Sequence, residues 1–168
     1  MYSVGHTFPN LNLRGVNELN DIVDVDVLVP SMWSVVYFYP KDFTFICPTE
    51  IAAMDSLKEE ADVIGISGDN EFCKIAWKQS NSLIRDIDHI LAADCGLKLS
   101  KKLGIVDPQE NVCLRATYII DPDGVIQHLS INALDTGRNA EEILRTLKAL
   151  KAGGLTGCGW SEGDEFVG

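Results

Sequence analysis

Cys47 is the residue whose surroundings in this sequence best suit covalent chemistry. It follows an apolar run and a short polar loop, and Pro48 comes directly after it. Proline is favoured in the first turn of a helix, where no backbone donor is needed, so this pattern predicts that Cys47 begins a helix. The free N–H groups and the dipole of a helix start stabilise a thiolate relative to the neutral thiol. A helix-start position of this kind lowers the pKa of a thiol.

Two further residues of the same segment predict a shaped site around that sulfur. Thr44 precedes Cys47 by three positions and can direct a hydroxyl at it, while Pro40 can shield it from bulk water. Such a site suits the attack of a thiolate on an electrophile held by hydrogen bonds. The alternative for a single cysteine is an inert thiol in the core, and these residue types alone leave both interpretations open.

The segments on either side of Cys47 predict a strand–helix–strand unit. Residues 34–39, SVVYFY, form a continuously apolar run of β-branched and aromatic residues, which is typical of a strand buried on both faces. A helix is expected from about Ile46, and residues 62–67, DVIGIS, predict a second buried strand. Such a βαβ unit is right-handed and makes the two strands parallel.

The second half of the chain predicts a hairpin and a last helix. Residues 115–120 and 125–131 flank the sequence DPDG, a turn in which proline sets φ and glycine accepts a positive φ. Asn139 is expected to cap a helix that runs to Lys151 and ends at a pair of glycines. Two shorter elements are also expected, a helix over 71–79 and a strand over 89–92.

The chain is expected to form one domain over residues 1–151, followed by a tail over residues 152–168. Its 168 residues are 46% apolar and 23% charged, near the averages of a globular protein. The tail is rich in glycine and contains no lysine or arginine, so it cannot build a core of its own. It carries Cys158, Trp160 and Phe166 and is expected to dock on another surface.

The charge and composition exclude several classes of partner. The formal net charge of −11 disfavours nucleic acid and anionic membrane surfaces, because both attract basic proteins. No apolar run approaches the ~18 residues of a membrane span, and the first twenty residues lack the pattern of a secretory signal. A soluble cytoplasmic protein is expected. The three histidines share no metal-ligand spacing, and no metal or cofactor is expected.

The five cysteines contain no Cys-x-x-Cys pair, which argues against a zinc ribbon and against a thioredoxin-type dithiol. Their odd number, without a signal peptide, also argues against a secreted disulfide framework. Cys73 is expected to be a small core residue, and Cys95 a loop residue without a redox role. Cys113 precedes Arg115 by two positions and could lie near the site, although nothing in the sequence requires a thiol there.

The spacing Pro40-x-x-x-Thr44-x-x-Cys47 resembles the active-site signature of the peroxiredoxins. The longer run KDFTFICPTEIAA is similar to their bacterial alkyl hydroperoxide reductase C branch, the typical two-cysteine type. The resemblance covers nearly the whole chain. Further similar segments are Gly5-x-x-Phe8-Pro9, RATYIIDPDG opened by Arg115, Gly137-Arg138-Asn139-x-x-Glu142, and Gly157-Cys158-Gly159-Trp160, which departs from the more familiar Val-Cys-Pro context of the family.

The resemblance implies a role for each matching residue around the sulfur. Cys47 would be the peroxidatic thiolate, which attacks one peroxide oxygen and becomes a sulfenic acid. Thr44 would hydrogen-bond the peroxide and hold the thiolate. Arg115 would stabilise the thiolate and the charge that develops on the leaving oxygen, although by itself it is also consistent with a surface charge at a strand end. Pro40 would close the pocket.

Three more roles follow from the same resemblance. Glu50 and Arg138 would form a supporting salt-bridge network around the active-site arginine, the alternative being an ordinary surface pair. Cys158 would resolve the sulfenic acid of Cys47 into a disulfide, which in this family joins two subunits. The alternative for Cys158 is a bystander thiol in a flexible tail.

The fold implied is thioredoxin-like α/β, with a mixed central sheet, helices on both faces, an N-terminal extension and a C-terminal tail. The function implied is thiol-dependent reduction of hydrogen peroxide and organic hydroperoxides. The partners implied are a homodimer that assembles into a ring, such as a decamer, and a reductant: thioredoxin, a flavoprotein disulfide reductase or a small dithiol adaptor. A peroxide sensor or redox relay and a holdase chaperone are alternatives on the same scaffold.

Overall fold

The computed structural model describes residues 2–168, which form a mixed seven-stranded sheet with helices on both faces. The strands are β1 (Asn12–Val16), β2 (Ile22–Asp26), β3 (Ser34–Phe38), β4 (Asp62–Ser67), β5 (Ile90–Ala93), β6 (Val106–Asp107), β7 (Val112–Cys113), β8 (Arg115–Ile120) and β9 (Ile126–Asn132). The helices are α1 (Cys47–Met54), α2 (Glu71–Ser80), α3 (Lys98–Leu103) and α4 (Ala140–Ala152).

The sheet has the strand order β2-β1-β5-β4-β3-β8-β9, and β6 and β7 pair separately. Strands β3, β4 and β5 are parallel and central, which confirms the predicted βαβ unit. Strand β8 runs antiparallel to β3, with Tyr37 opposite Thr117, and β9 extends the sheet beyond β8. The first residue of β8 therefore lies at the end of the sheet where β3 leads into α1.

The two faces of β3 belong to different halves of the core, because side chains alternate across a strand. Val35 and Tyr37 pack with residues of α1, α2 and α4. Val36 and Phe38 pack with α3 and with the N-terminal segment that contains Phe8. Helices therefore cover both faces of the sheet, as expected.

Most of the elements lie where the sequence pattern predicts them. Strands β4 and β8 have the predicted bounds, β9 is shifted by one residue, and α4 begins after Asn139, whose side chain accepts a hydrogen bond from the N–H of Glu142. Gly153 ends that helix with a φ of 76°. The hairpin of β1 and β2, the β6–β7 pair and α3 were not predicted.

The tail folds back on α4 instead of extending away from it. Trp160 is only 6% exposed, and its carbonyl oxygen accepts a hydrogen bond of 2.8 Å from Nη1 of Arg145. Its ring stacks on that of Phe166 at 6.3 Å, and the N–H of Val167 donates to the carbonyl of Leu155. Among residues 2–168, no helix has the length and hydropathy needed to span a bilayer.

Candidate active site

Cys47 is the first residue of α1 and is fully buried. The chain leaves β3, crosses a short loop and enters α1 with Pro48 in its first turn, as the sequence predicts. The sulfur lies in the half of the core that contains Tyr37 and Tyr39. A helix start presents free N–H groups and partial positive charge, and the buried sulfur lies next to both.

Arg115 supplies a full positive charge next to that sulfur. Its Nη1 lies 3.4 Å from Sγ of Cys47, and its Nε donates a hydrogen bond of 2.7 Å to the carbonyl of Leu134. The Arg115 side chain is only 4% exposed, so it is not a surface charge. Because the interior screens charge less than water does, the Arg115 cation acts on the sulfur more strongly than a surface charge would.

Glu50 joins two arginines from within α1. Its Oε1 pairs with Nη1 of Arg115, and its Oε2 accepts 2.6 Å and 3.0 Å bonds from Nε and N–H of Arg138. Arg138 also donates to Thr117 Oγ1 and the Ala116 carbonyl, at 3.0 Å each. The pair is thus a buried network, because the side chains of Glu50 and Arg138 are 2% and 4% exposed.

Thr44 and Pro40 line a pocket of about 260 Å³ together with Arg115. The Thr44 hydroxyl was expected to point at the sulfur, but its hydrogen is donated to the carbonyl of Lys41 at 2.8 Å. Threonine hydroxyls commonly bond backbone carbonyls a few residues away in this manner. The oxygen of Thr44 keeps lone pairs that can accept a hydrogen bond from a molecule in the pocket.

A buried charged cluster that the sequence analysis missed anchors the loop between β3 and α1. Nζ of Lys74 lies 3.2 Å from both carboxylate oxygens of Asp42 and 2.6 Å from Oγ of Ser67. The N–H of Asp42 donates to Asp69. The available signal was the position of Lys74 three residues before Trp77, on the buried face of an amphipathic helix.

Three of the cysteines lie in surroundings that disfavour a thiolate. Burial raises the pKa of the Cys113 thiol to about 12, and its Sγ lies 2.9 Å from the carbonyl of Tyr39. Cys73 is half-buried in the first turn of α2 and not the core residue that was expected, because the apolar face of that helix lies elsewhere. Burial and nearby carboxylates raise the pKa of Cys73 to about 11, and burial also raises the pKa of Cys95. These thiols stay protonated at neutral pH.

Cys158 is exposed on the tail and lies outside the buried cluster around Cys47. It lines a surface pocket of about 560 Å³ together with Arg145 of α4. Both Cys47 and Cys158 are free thiols in this structure. The fold thus brings together Cys47, Thr44, Pro40, Arg115, Glu50 and Arg138, and it leaves Cys158 apart from them.

Comparison with known proteins decides the family. A model of the AhpC/TSA family matches residues 4–129, well over half of the chain. The chain belongs to the AhpC/TSA family. Alkyl hydroperoxide reductase C of Mycolicibacterium smegmatis is 34% identical over 185 residues, which cover 99% of this chain and 94% of that protein.

Other members of the AhpC/TSA family agree in sequence and in structure. The chloroplastic 2-Cys peroxiredoxin BAS1 of Hordeum vulgare is 35% identical over 98% of this chain and 84% of its own. The crystal structure of reduced Plasmodium vivax 2-Cys peroxiredoxin superposes with a TM-score of 0.90 at 31% identity, covering 96% of this chain and 91% of that one. The chain is therefore a peroxiredoxin with a thioredoxin-like fold, and its enzymatic class is peroxidase.

Proposed function

We propose that this peroxiredoxin reduces hydrogen peroxide and small organic hydroperoxides with Cys47 as the attacking group. The observation that carries the proposal is the contact between Nη1 of Arg115 and Sγ of Cys47 at a helix start. The thiolate sulfur bonds to one peroxide oxygen as the O–O bond breaks. The sulfur is oxidised to a sulfenic acid, and the other oxygen leaves with a proton as water or an alcohol.

In the proposed mechanism Arg115 acts on both the attacking sulfur and the leaving oxygen. It stabilises the thiolate before the attack and the charge on the leaving oxygen during it, which is electrostatic catalysis by a pre-oriented donor. Glu50 and Arg138 hold Arg115 in that orientation through the buried pairs. Because Glu50 is bound by two arginines, its own charge is compensated and does not cancel the effect of Arg115 on the sulfur.

Thr44 and Pro40 form the wall against which the peroxide binds. In this proposal the Thr44 oxygen accepts a hydrogen bond from the peroxide O–H, and Pro40 excludes water from the reacting atoms. Thr44, Pro40 and Arg115 line the same pocket, which supports these roles. Cys47 is fully buried, so in this proposal the pocket wall must open slightly before the peroxide can reach the sulfur.

Resolution is assigned to Cys158 of a second copy of the chain. The Cys158 thiolate attacks the sulfenic sulfur, a disulfide forms and water leaves. The exposure of Cys158 and its separation from the buried cluster support a reaction between subunits. An external dithiol protein, such as thioredoxin, a flavoprotein disulfide reductase or a small dithiol adaptor, then reduces the disulfide.

Assembly of such dimers into a ring, a decamer or a similar size, is part of the proposal. Large aromatic side chains are exposed in the loop before Cys47 and on α2: Phe45 is 96% exposed, and Phe43 and Phe72 are also exposed. Exposed apolar side chains of this size indicate contacts with other chains. The proposed location of the enzyme is the cytoplasm, in keeping with its free thiols.

The decisive experiment measures peroxide consumption with each of the three classes of reductant in turn. The wild-type protein is compared with Cys47→Ser and with Cys95→Ser as the matched control. We expect Cys95→Ser to keep its activity and Cys47→Ser to lose it. Oxidation of Cys47 without turnover would instead indicate a sensor or relay, and suppression of aggregation that survives Cys47→Ser would indicate a holdase.

A further inference from the structure

A continuous chain of buried polar groups lies behind the arginine network. The hydroxyl of Tyr37 is 2.6 Å from Nε2 of His89, and Nδ1 of His89 is 2.7 Å from Oδ1 of Asp55. Tyr37 and His89 are fully buried, and Asp55 reaches the surface. The Tyr37 ring lies under the guanidinium of Arg138, at 5.1 Å. The peroxidase mechanism described above makes no use of Tyr37, His89 or Asp55.

The hydrogen-bond donors of this chain can be assigned from Asp55. Its Oδ1 accepts from the N–H groups of Asp88 and His89 as well as from Nδ1 of His89. Burial alone would raise the pKa of Asp55, but the bonds from His89 and Asp88 outweigh it and lower that pKa. Asp55 is therefore a carboxylate that only accepts, so Nδ1 of His89 carries a hydrogen.

The other ring nitrogen of His89 then sets the direction of the bond to Tyr37. Burial lowers the pKa of His89, and Asp55 offsets this only in part, so the ring is neutral at pH 7. A neutral imidazole protonated at Nδ1 has an acceptor at Nε2. Tyr37 therefore donates its hydroxyl hydrogen to His89. Burial also raises the pKa of Tyr37, although Arg138 opposes this, so the phenol keeps its proton.

The electron density of the Tyr37 ring increases when its hydroxyl donates a hydrogen bond. A richer π face attracts the Arg138 guanidinium above it more strongly. The backbone supports the same contact, because Tyr37 is opposite Thr117, whose hydroxyl accepts from Arg138. Arg138 is thus held from below by an aromatic face and along its edges by hydrogen bonds.

We propose that Tyr37 and His89 are positioning residues for peroxide reduction, acting through Arg138 and Glu50 on Arg115. Asp55 orients the imidazole, the imidazole orients and polarises the phenol, and the phenol ring steadies Arg138. This inference rests on the proposed function, since it assigns a second layer of support to the same sulfur. The consequence is that these groups tune the thiolate of Cys47 without touching it.

This relay, the hydrogen-bonded chain of Tyr37, His89 and Asp55, also ties the C-terminal end of α1 to the sheet. Asp55 directly follows Met54, the last residue of α1, and its partners Asp88 and His89 directly precede β5. The first turn of α1 can therefore open for resolution of the sulfenic acid while its last turn stays in place. Other charged groups that face the relay are Glu50, Arg138 and the Cys47 thiol near Tyr37, and Lys58 and Lys78 near His89.

The test uses two variants and one control. Tyr37→Phe removes only the hydroxyl. Tyr37→Phe/His89→Leu removes both partners and fills the site with apolar atoms, which limits the loss of stability that a single unpaired group causes. Tyr118→Phe is the control, because that tyrosine is also a core residue but packs in the other half of the core.

Three quantities are measured for each protein: the rate of one peroxide turnover, the pH midpoint of iodoacetamide alkylation at Cys47, and the thermal midpoint. Both relay variants keep an aromatic ring under Arg138, so we expect them to lose only about twofold to threefold in rate, less than a whole cation–π contact is worth. The alkylation midpoint is expected to rise in both relay variants, while Tyr118→Phe matches the wild type.

A double variant with wild-type rate and wild-type alkylation midpoint would overturn the proposal, whatever its thermal midpoint. The relay would then be a core packing feature only. Failure of the proposed function is distinguishable, because it appears as peroxide turnover that survives Cys47→Ser in the same assay. If Tyr37→Phe alone is too unstable to assay, the double variant decides the question.

Discussion

Lys74 forms a buried ion pair with Asp42, and its Nζ also donates to Ser67, which itself donates to Asp42. Asp42 lies in the loop between Pro40 and Thr44, so the pair holds, from inside the protein, the wall of the pocket that Pro40, Thr44 and Arg115 line. The ammonium lies 5.3 Å from the centre of the Tyr39 ring, which adds a cation–π contact.

Removal of one member of this pair is expected to be costly. Lys74→Met leaves the Asp42 carboxylate buried without a cation, and we expect a loss of about 3 kcal/mol in the free energy of unfolding. Lys74→Met/Asp42→Asn is expected to recover much of that loss, because no charge stays buried. Urea denaturation measures all the variants. Lys148→Met is the control, since its pair with Glu162 lies at the surface. Equal stability of Lys74→Met and the wild type would contradict the ion-pair account.

Arg115→Ala is expected to slow the peroxide step by about a hundredfold or more, the usual effect of losing one pre-oriented donor. The same change should move the pH midpoint of Cys47 alkylation upward, because one cation serves both the thiolate and the leaving oxygen. Stopped-flow oxidation and pH-dependent alkylation measure the two effects. Arg85→Ala, at an exposed arginine, is the control. A normal rate in Arg115→Ala would remove Arg115 from the mechanism.

Cys73 and Cys113 are expected to react slowly with iodoacetamide at pH 7, because burial raises their pKa values to about 11 and about 12. Mass spectrometry after a short exposure should find the label mainly on other cysteines. Cys113→Ser is expected to keep peroxidase activity, since a serine hydroxyl can also donate to the Tyr39 carbonyl. Rapid labelling of Cys113 would show that the interior opens around it.

Oxidised protein is expected to run as a covalent dimer on a non-reducing gel, and Cys158→Ser should abolish that band while leaving one turnover of peroxide. Trp160 and Arg145 hold the tail against α4, and we expect formation of the disulfide to release it. An oxidised monomer with an internal disulfide would place both reacting cysteines in one chain.

Trp160→Ala is expected to release the tail and to speed disulfide formation, so that less Cys47 is over-oxidised to sulfinic acid. The measurement is the ratio of disulfide to sulfinic acid by mass spectrometry after turnover in excess peroxide. Glu165→Gln is the control, because Glu165 is an exposed residue of the same tail. A higher sulfinic fraction in Trp160→Ala would show that docking of the tail assists resolution instead of delaying it.

The stability of the protein is expected to fall as the pH falls below about 6.5. The pKa of His89 is lower in the folded chain than its ordinary value of 6.5, mainly because of burial. Between the folded and unfolded pKa values the unfolded chain binds more protons, so acid favours unfolding by up to ~1.4 kcal/mol per pH unit. This loss levels off below the folded pKa of His89. Asp55 adds a second loss of stability at lower pH, because its pKa is lower in the folded chain than its ordinary value of 3.8. Its stabilising contribution is complete above pH 3.8 and disappears as the pH falls through its folded pKa.

Urea midpoints between pH 5 and pH 8 measure this dependence. Tyr37→Phe/His89→Leu should flatten the decline. His128→Asn tests the second histidine whose pKa burial lowers, a half-buried side chain near Glu142. An unchanged pH profile in the double variant would assign the decline to other groups.

Local pattern was enough to predict most of the elements near the site. The central strands are continuous apolar runs, and Asn139 and the DPDG turn impose local backbone geometry, so β4, β8 and α4 appear where they were expected. Strand β2 was missed although Ile22, Val23 and Val25 are β-branched, because it has only five residues and none of them is fully buried, and α3 was missed because it has only six residues. Short and exposed elements depend on their neighbours more than on their own composition.

The residues within one segment were enough to predict a reactive sulfur, because Cys47, Pro48, Thr44 and Pro40 are close in sequence and a helix start acts over one turn. The tertiary structure alone decided what surrounds it. Arg115 is 68 residues from Cys47, and Arg138 is 88 residues from Glu50. The pairing of β8 with β3 brings Arg115 to α1, and the pairing of β9 with β8 returns the chain so that Arg138 reaches the same place.

The buried polar groups depended entirely on the tertiary structure. Lys74, His89 and Tyr37 have no local pattern that names their partners, because an ionic or polar side chain enters a core only where distant groups satisfy it. In sequence they are a helix lysine, a histidine before a strand and a strand tyrosine. In the folded chain they anchor the loop that precedes Cys47 and support the arginines beside it.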